Sequence, residues 1–177
     1  MTAIDLAIIG FGKIARDQHR AALDASPVFN LAAVVDTVAR PEGLTAYPEI
    51  GALLRQSPRV QAVSLCTPPQ VRFAVARQAL LAGKHVLLEK PPGTTVSEVM
   101  TLQRIARDQG RVLFAAWHSQ FAPGIPGAKA WLADKRITRV TVTWREDVRQ
   151  VALTLRNALQ FEPLDAPLRV RMVFTLP

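Results

Sequence analysis

Three small residues near the start of the chain could hold the phosphates of a dinucleotide. Gly10, Gly12 and Ala15 have GxGxxA spacing and join an apolar run, residues 4–9, to a helical pattern that ends near Ala25. The first glycine permits a tight turn, the second lets the backbone approach a pyrophosphate, and the alanine allows close packing of helix on strand. Free N–H groups at the start of the helix attract the anion. The spacing predicts a dinucleotide-binding turn, and the alternative is a glycine turn that binds no ligand.

An acidic residue follows the second apolar run at a spacing that suits such a turn. Asp36 ends the run of residues 29–35 and comes 26 residues after Gly10. A carboxylate at this position can accept hydrogen bonds from the hydroxyls of an adenosine ribose, and it would repel a 2′-phosphate. The sequence therefore favours NAD over NADP, and the nearby Arg40 weakens that preference.

Two further strand ends carry residues that could contact a substrate. Thr67-Pro68-Pro69 and Glu89-Lys90-Pro91 each follow a short apolar run. A lysine held at the carboxyl end of a strand can polarise a substrate oxygen, and a neighbouring nicotinamide cation would favour proton transfer by its amine. The alternatives are a simple strand stop for Thr67-Pro68 and an ordinary surface lysine for Lys90.

Short apolar runs alternate with helical patterns over the first two thirds of the chain. This alternation is typical of a parallel sheet covered by helices on both faces, with the site at the carboxyl ends of its strands. The sequence predicts an α/β fold, a Rossmann-type doubly wound parallel sheet, over residues 1–120. The predicted strands are residues 4–9, 29–35, 62–66, 85–88 and 111–116, and the predicted helices are residues 14–25, 71–82 and 95–110, the last opened by a capping box at Thr95 and Glu98.

The pattern changes after Trp117. Prolines and glycines at 123–127 suggest a linker, and residues 128–133 suggest a short helix. Residues 137–145 alternate with period two, as a half-buried antiparallel strand does, and further strands are predicted at 151–161 and 168–176. We expect a boundary near 118–124, followed by a reduced α+β part with an open mixed or antiparallel sheet.

The composition favours a globular, cytoplasmic protein. The chain has 177 residues, of which 49% are hydrophobic, and a single cysteine, so neither a disordered chain nor a disulfide framework is expected. The start of the chain lacks a basic leader, and no apolar stretch approaches the ~20 residues of a membrane span. We therefore expect neither a signal peptide nor a membrane partner.

Charge and cysteine chemistry point to no other class of function. The net charge of +8 could suggest nucleic-acid binding, but the basic residues are spread along the chain without a long run, which argues against it. The three histidines lack metal-ligand spacing, so no metal site is expected. Cys66, at an apolar strand end, is expected to pack rather than to act as a nucleophile.

Together these motifs resemble the Gfo/Idh/MocA family of oxidoreductases. The resemblance rests on AIIGFGKIA at 7–15, Asp36, CTPP at 66–69 and EKPPG at 89–93. Within the family, the chain looks most similar to bacterial aldose 1-dehydrogenases of the galactose type, through its opening up to His19, SLCTPPQVRF at 64–73, GKHVLLEKPPG at 83–93, WHS at 117–119 and WREDVR at 144–149. The resemblance implies hydride transfer from C1 of a galactose-like sugar to NAD, or alternatively NADP, giving a lactone. It also implies a homo-oligomer.

The resemblance also implies roles for individual residues. Lys90 would be the catalytic residue and would contact the reacting hydroxyl, with its Lys–Pro bond often cis in the family. His118 would lie beside the nicotinamide and substrate, whereas the residues alone suggest a loop or core histidine. The implied cofactor-binding residues are Gly10, Phe11, Gly12, Lys13 and Ile14 at the pyrophosphate, Asp36 at the adenosine ribose, Thr67 and Pro68 at the nicotinamide ribose, and the Glu89–Lys90 pair.

The sequence departs from the family after Arg149. The family's Asp-x-Gly-x-His or Asp-x-Gly-x-Asn element, which supplies a second catalytic or substrate-binding group, does not occur there. Residues 121–177 are therefore expected to form an incomplete substrate and oligomerisation domain, with a segment near 149–151 deleted or outside the given sequence. Two functions stay open, the sugar dehydrogenase and a catalytically inactive dinucleotide-binding or oligomerisation protein.

Overall fold

The structure, a computed structural model, describes residues 3–136, 139–146 and 168–175, the last two ranges through their backbone. The chain divides into two compact units, Met1–Gln120 and Phe121–Pro177. Among the described residues of the first unit, the strands are β1 (Ile4–Ile9), β2 (Phe29–Val35), β3 (Thr45–Tyr47), β4 (Ala62–Leu65), β5 (His85–Leu88) and β6 (Leu113–Ala115). They form one parallel sheet in the order β3-β2-β1-β4-β5-β6, which is the Rossmann order.

Helices cover this sheet in the connections between its strands. A π-helical turn (Ala15–Arg20) continues into α1 (Ala21–Asp24), where the sequence predicts one uninterrupted helix. The remaining helices of this unit are α2 (Ile50–Gln56), α3 (Pro69–Leu81) and α4 (Val96–Asp108), followed by a 3₁₀ turn (His118–Phe121).

The continuous apolar runs are explained by burial on both faces of the sheet. Along β1, Ala7 and Ile9 belong to one buried cluster, whereas Leu6 and Ile8 belong to the cluster on the other face. Successive side chains of a strand point to opposite faces, so a strand covered on both sides must be apolar at every position. The predicted α/β class and parallel sheet are confirmed.

Two elements were missed by the sequence analysis. β3 pairs in parallel with the end of β2, with Val35 opposite Tyr47, and α2 follows it. A strand of three residues is too short to show periodicity, and Gly51 lies within the first turn of α2, where it weakens the helical pattern.

The predicted capping box at the start of α4 forms only in part. Thr95 Oγ1 accepts from the N–H of Glu98 at 3.2 Å, as expected for an N-cap. The Glu98 carboxylate accepts instead from the N–H and hydroxyl of Thr94, both at 2.8 Å. These bonds from Thr94 hold the pKa of Glu98 below its usual value.

The second unit is described only in part. α5 (Ile125–Leu132) begins inside the stretch predicted to be a linker, because a proline is well accommodated in the first turn of a helix. β7 (Arg139–Glu146) and β8 (Leu168–Thr175) pair antiparallel, with Arg139 opposite Thr175. The predicted strand at 151–161 and the segment near 149–151 lie outside the described residues. No helix in the described part of the chain has the length and apolar character needed to cross a membrane.

Candidate dinucleotide-binding and active site

The parallel sheet brings four predicted site segments to one edge. Gly10, Asp36, Thr67 and Glu89 directly or closely follow β1, β2, β4 and β5, and parallel strands have their carboxyl ends on the same side. β1 lies between β2 and β4, so the connections on its two sides run in opposite directions and leave a crevice at this point.

Gly10 makes the turn at the crevice. Its φ is +86°, in the left-handed region that side chains rarely adopt. A Cβ atom on Gly10 would also lie 3.0 Å from the backbone nitrogen of Thr67 and 3.1 Å from its Cγ2 atom. Both the backbone conformation and the contact with the loop after β4 therefore require glycine.

Gly12 meets a different requirement. A Cβ atom placed on it would contact nothing within 4 Å, so the space beside its backbone is open. The N–H of Arg16 donates to the carbonyl of Gly12 at 3.1 Å, which places Gly12 at the start of the first helical turn. This open space next to a helix start fits the close approach of a pyrophosphate.

The other three residues implied at the pyrophosphate have separate surroundings. Lys13 is exposed and forms an ion pair with Asp17, one turn further along the helix. Ile14 is also exposed. Phe11 is buried in the sheet cluster, and its backbone N–H donates to Asp36 at 2.8 Å. The side chain of Phe11 therefore packs the turn against the sheet.

Asp36 connects the turn after β1 with the loop after β2. Its Oδ2 accepts from the N–H of Phe11, and its Oδ1 accepts from the N–H groups of Val38 and Ala39, both at 2.9 Å. Burial alone would raise the pKa of Asp36, but the bonds from Ala39, Val38 and Phe11 and the charge of Arg40 together hold it below its usual value. A carboxylate has about four acceptor sites, so roughly one is left for a ribose hydroxyl.

The side chain of Arg40 contacts its own loop. Its Nη1 donates to the backbone carbonyls of Asp36 and Ala39, both at 2.8 Å. The guanidinium is therefore folded back on the loop that holds the Asp36 carboxylate.

A cavity of about 650 Å³ opens beside these groups. This volume lies within the range of small-molecule and cofactor sites. The cavity is lined by five of the predicted site residues (Gly10, Gly12, Asp36, Thr67 and Pro68) and also by Pro48, Glu49 and Ile50 from the segment that the sequence analysis missed. The described residues therefore fit a dinucleotide.

Glu89 and Lys90 follow β5 at the same edge. Lys90 is exposed, its backbone N–H donates to Glu89 Oε2 at 3.1 Å, and the Lys90–Pro91 peptide bond is cis. Glu89 Oε1 lies 2.9 Å from Nε2 of His19, which belongs to the π-helical turn. The Glu89 carboxylate thus contacts both the helix after β1 and the backbone of Lys90.

Arg72 is a site residue that the sequence analysis missed. Its side chain lies on α3 and is only 3% exposed, and its guanidinium donates to the carbonyls of Thr67, Glu89 and Pro91. Burial lowers the pKa of Arg72, and the charge of Glu89 partly opposes that effect. The sequence could have indicated the burial of Arg72, because this residue lies on the same face of the helix as the buried Ala76 and Ala79.

One predicted cofactor contact has an unsatisfied polar atom. Among the described residues, the buried Thr67 Oγ1 has no hydrogen-bond partner. Buried hydroxyls are normally paired, so an unpaired one that borders a cavity fits a ligand contact.

Burial raises the pKa of the neighbouring Cys66 thiol to about 11, a value at which the reactive thiolate is scarce near neutral pH.

His118 lies at the start of the 3₁₀ turn after β6 and is exposed. β6 pairs with β5, so His118 and Lys90 follow neighbouring strands at one edge of the sheet.

In the part of the chain that is described, no group of three or more His, Cys, Asp or Glu side chains could hold a metal ion.

Comparison with known proteins gives close relatives. A galactose 1-dehydrogenase of Pseudomonas fluorescens is 41% identical over 150 residues, which cover 85% of this chain and 48% of that protein. A crystal structure of D-galactose-1-dehydrogenase from Rhizobium etli has 48% identity and a TM-score of 0.79, again over 85% of this chain and 48% of that one. The chain therefore spans about half the length of these relatives.

More distant relatives share the same fold. A 3-ketoreductase from Actinomadura kijaniata, solved with TDP-benzene and NADP, has 26% identity and a TM-score of 0.68 over 75% of this chain and 44% of that one. Residues 4–117 match the family model described as an oxidoreductase family with an NAD-binding Rossmann fold. The family resemblance inferred from the motifs is confirmed. This chain belongs to the Gfo/Idh/MocA family of NAD-binding oxidoreductases.

Proposed function

We propose that this chain contributes the cofactor-binding half and the catalytic lysine of a sugar 1-dehydrogenase. The reaction is hydride transfer from C1 of a galactose-like aldose to NAD, giving a lactone. The observation that carries the proposal is the exposed Lys90 at the carboxyl end of β5, on the sheet edge that also bears the glycine turn and Asp36. The similarity to two galactose 1-dehydrogenases supports the sugar class.

The geometry of the turn supports the proposed cofactor contacts. The N–H groups at the start of the helix that follows Gly12 bind the pyrophosphate, and the remaining acceptor site of Asp36 binds the adenosine ribose. The Asp36 carboxylate, held charged by its backbone hydrogen bonds, disfavours a 2′-phosphate, so NAD is preferred to NADP. Thr67 and Pro68 line the same cavity and are proposed to contact the nicotinamide ribose. The bound nicotinamide supplies the hydride acceptor.

The protein's own contribution is to orient the sugar and to accept a proton. Lys90, with its backbone held by Glu89, contacts the reacting hydroxyl; in its neutral amine form it takes the hydroxyl proton and becomes the ammonium as C1 loses its hydride and the carbonyl forms. His118, on the neighbouring strand end, contributes a hydrogen bond to the sugar. Holding the sugar carbon close to its acceptor accounts for much of the rate enhancement in reactions of this kind.

The alternative is a catalytically inactive dinucleotide-binding or oligomerisation protein. The observation that favours it is the cavity, whose lining among the described residues includes Gly10, Gly12 and Asp36 but not Lys90. Residues 121–177 then serve in assembly rather than in substrate binding. A homo-oligomer and a cytoplasmic location stay predictions in both cases.

A single set of measurements separates the two proposals. Galactose and arabinose are offered with NAD or NADP, and the near-ultraviolet absorbance of reduced nicotinamide is followed. Formation of reduced cofactor supports the dehydrogenase. Absence of turnover together with a rise in melting temperature on addition of NAD supports the inactive binding protein. If neither cofactor raises the melting temperature, the proposed cofactor site is wrong.

A further inference from the structure

A chain of polar side chains crosses the otherwise apolar sheet face beneath the candidate site. Ser64 Oγ on β4 lies 2.9 Å from Nδ1 of His19, and Nε2 of His19 lies 2.9 Å from Oε1 of Glu89. Ser64 is only 2% exposed, and the side chains of His19 and Glu89 are 14% and 15% exposed. These two hydrogen bonds therefore connect the sheet with the loop that carries Lys90.

The chemistry of the three groups sets the direction of their hydrogen bonds. A carboxylate only accepts, so Nε2–H of His19 donates to Glu89. In the neutral ring the second nitrogen is then an acceptor, and the hydroxyl of Ser64 donates to it. With both ring nitrogens protonated, the hydroxyl of Ser64 would need another acceptor, and the neighbouring Cys66 sulfur, 4.0 Å away, is a poor one.

Both oxygens of Glu89 are engaged by these contacts. Oε1 accepts from His19, and Oε2 accepts from the backbone N–H of Lys90 at 3.1 Å. On the opposite side of the loop, the guanidinium of Arg72 donates to the backbone carbonyl of Glu89. The Glu89 side chain therefore acts on the backbone of Lys90, which is a different role from the cofactor contact implied by the family resemblance.

We propose that His19, oriented by Ser64, is a positioning residue that holds the Glu89 carboxylate and thereby sets the placement of Lys90. This inference rests on the proposed role of Lys90. His19 reaches its place because it follows the buried Ala15 by four residues, on the inward face of the first helix. Side chains that hydrogen-bond to a ligand-contacting group from behind commonly fix its orientation.

A contribution to folding stability does not by itself account for these three polar side chains. The surrounding cluster consists of apolar side chains such as Leu6, Ile8 and Val34. Replacing a buried hydrogen-bonded pair by apolar groups of similar shape is often neutral for stability, whereas removing one partner alone is costly. The network is therefore explained better by orientation of the loop than by its net contribution to folding.

The test compares two substitutions of His19 that differ in which contact they keep. His19→Gln places an amide N–H near the position of Nε2 and retains the bond to Glu89. In His19→Asn the shorter side chain can bond to Ser64 but loses the bond to Glu89. His85→Asn is the matched control, because the Nδ1 of His85 accepts from the N–H of Val112 in a different part of the sheet. All variants are made in the full chain.

The readout is the acetylation rate of the Lys90 amine, measured by peptide mass spectrometry and referred to the exposed Lys129 in the same sample. In His19→Asn the Glu89 oxygen that loses its donor becomes free to pair with the Lys90 ammonium. We expect the Lys90 rate to fall about fivefold, the change that corresponds to one hydrogen bond of ordinary strength. His19→Gln restores the wild-type rate, and His85→Asn leaves it unchanged.

An unchanged Lys90 rate in His19→Asn overturns the proposal, as does an equal fall in all three variants. Should His19→Asn fail to fold, nitrogen NMR of the wild-type protein decides the matter. The neutral tautomer with its proton on Nε2 supports the network, and a proton on Nδ1 contradicts it. A wild-type protein that oxidises no sugar refutes the proposed function only, because neither readout requires turnover.

Discussion

The buried guanidinium of Arg72 donates a hydrogen bond to the backbone carbonyl of Glu89, so a helix between two strands directly fixes the loop after the second of them. The same guanidinium donates to the carbonyls of Thr67 and Pro91. The loops after β4 and β5 are therefore held together by one side chain, and these two loops carry the residues proposed to contact the nicotinamide and the sugar.

Replacing Arg72 should destabilise the protein strongly. Arg72→Met leaves three partly buried carbonyl groups without their charged donor, and a hydrogen bond to a charged group contributes about 1.5–3 kcal/mol to stability. We expect the free energy of unfolding, measured by urea denaturation, to fall by about 3 kcal/mol or more. Arg77→Met, an exposed position on the same helix, is the control and should change little. Equal effects of the two substitutions would show that Arg72 does not hold the loops.

The two glycines of the turn should respond differently to alanine. Gly10→Ala forces a side chain into a positive φ and against Thr67, so it should lower the melting temperature with or without NAD. Gly12→Ala enters open space, so the apoprotein should melt as the wild type does, while NAD no longer raises its melting temperature. A normal NAD response in a stable Gly12→Ala variant would place the pyrophosphate elsewhere.

The charge of Asp36 should contribute to stability in a pH-dependent way. Because the pKa of Asp36 in the folded protein lies below its usual value, the charged form stabilises the fold above the unfolded pKa, and this contribution is lost as the pH falls through the folded pKa. Asp36→Asn should therefore cost stability at neutral pH, and the difference from wild type should shrink below about pH 4. Chemical denaturation across this range measures it, with Asp108→Asn at an exposed helix end as the control. A difference independent of pH would contradict the assignment.

Cofactor selectivity should also depend on Asp36. Asp36→Ala removes both the acceptor for a ribose hydroxyl and the charge that repels a 2′-phosphate. We expect calorimetric titration to show a larger loss of affinity for NAD than for NADP. Unchanged selectivity would exclude Asp36 from the ribose site.

Lys90 should be needed for turnover and not for cofactor binding. Lys90→Ala removes the amine proposed to take the hydroxyl proton, and general acid–base groups typically contribute about 10²–10⁴-fold to rate. We expect the rate of sugar oxidation to fall by about 10²-fold or more. NAD should still raise the melting temperature. Lys129→Ala, at an exposed position in α5, should leave both properties unchanged. Retained activity in Lys90→Ala would remove Lys90 from the mechanism.

The α/β fold and most of its strands could be predicted because they depend on local patterns. Ile4–Ile9 and Phe29–Val35 are apolar at nearly every position, which is the pattern of strands buried on both faces, and Gly10 marks a turn that only glycine permits. Thr45–Tyr47 escaped prediction since a strand of three residues becomes recognisable only when it pairs with β2. The predicted ligand contacts of Thr67, Lys90 and His118 stay predictions.

The amino-acid sequence by itself determined the family, the sheet and the order of the motifs along it, because close spacing along the chain specifies turns, caps and apolar faces. Only the tertiary structure decided the hydrogen-bond partners of His19, Ser64 and Arg72. His19 and Glu89 are 70 residues apart, and Ser64 and His19 are 45 apart. No local pattern encodes such pairs, since the parallel order of β1, β4 and β5 must first bring the carboxyl ends of these strands to one edge of the sheet.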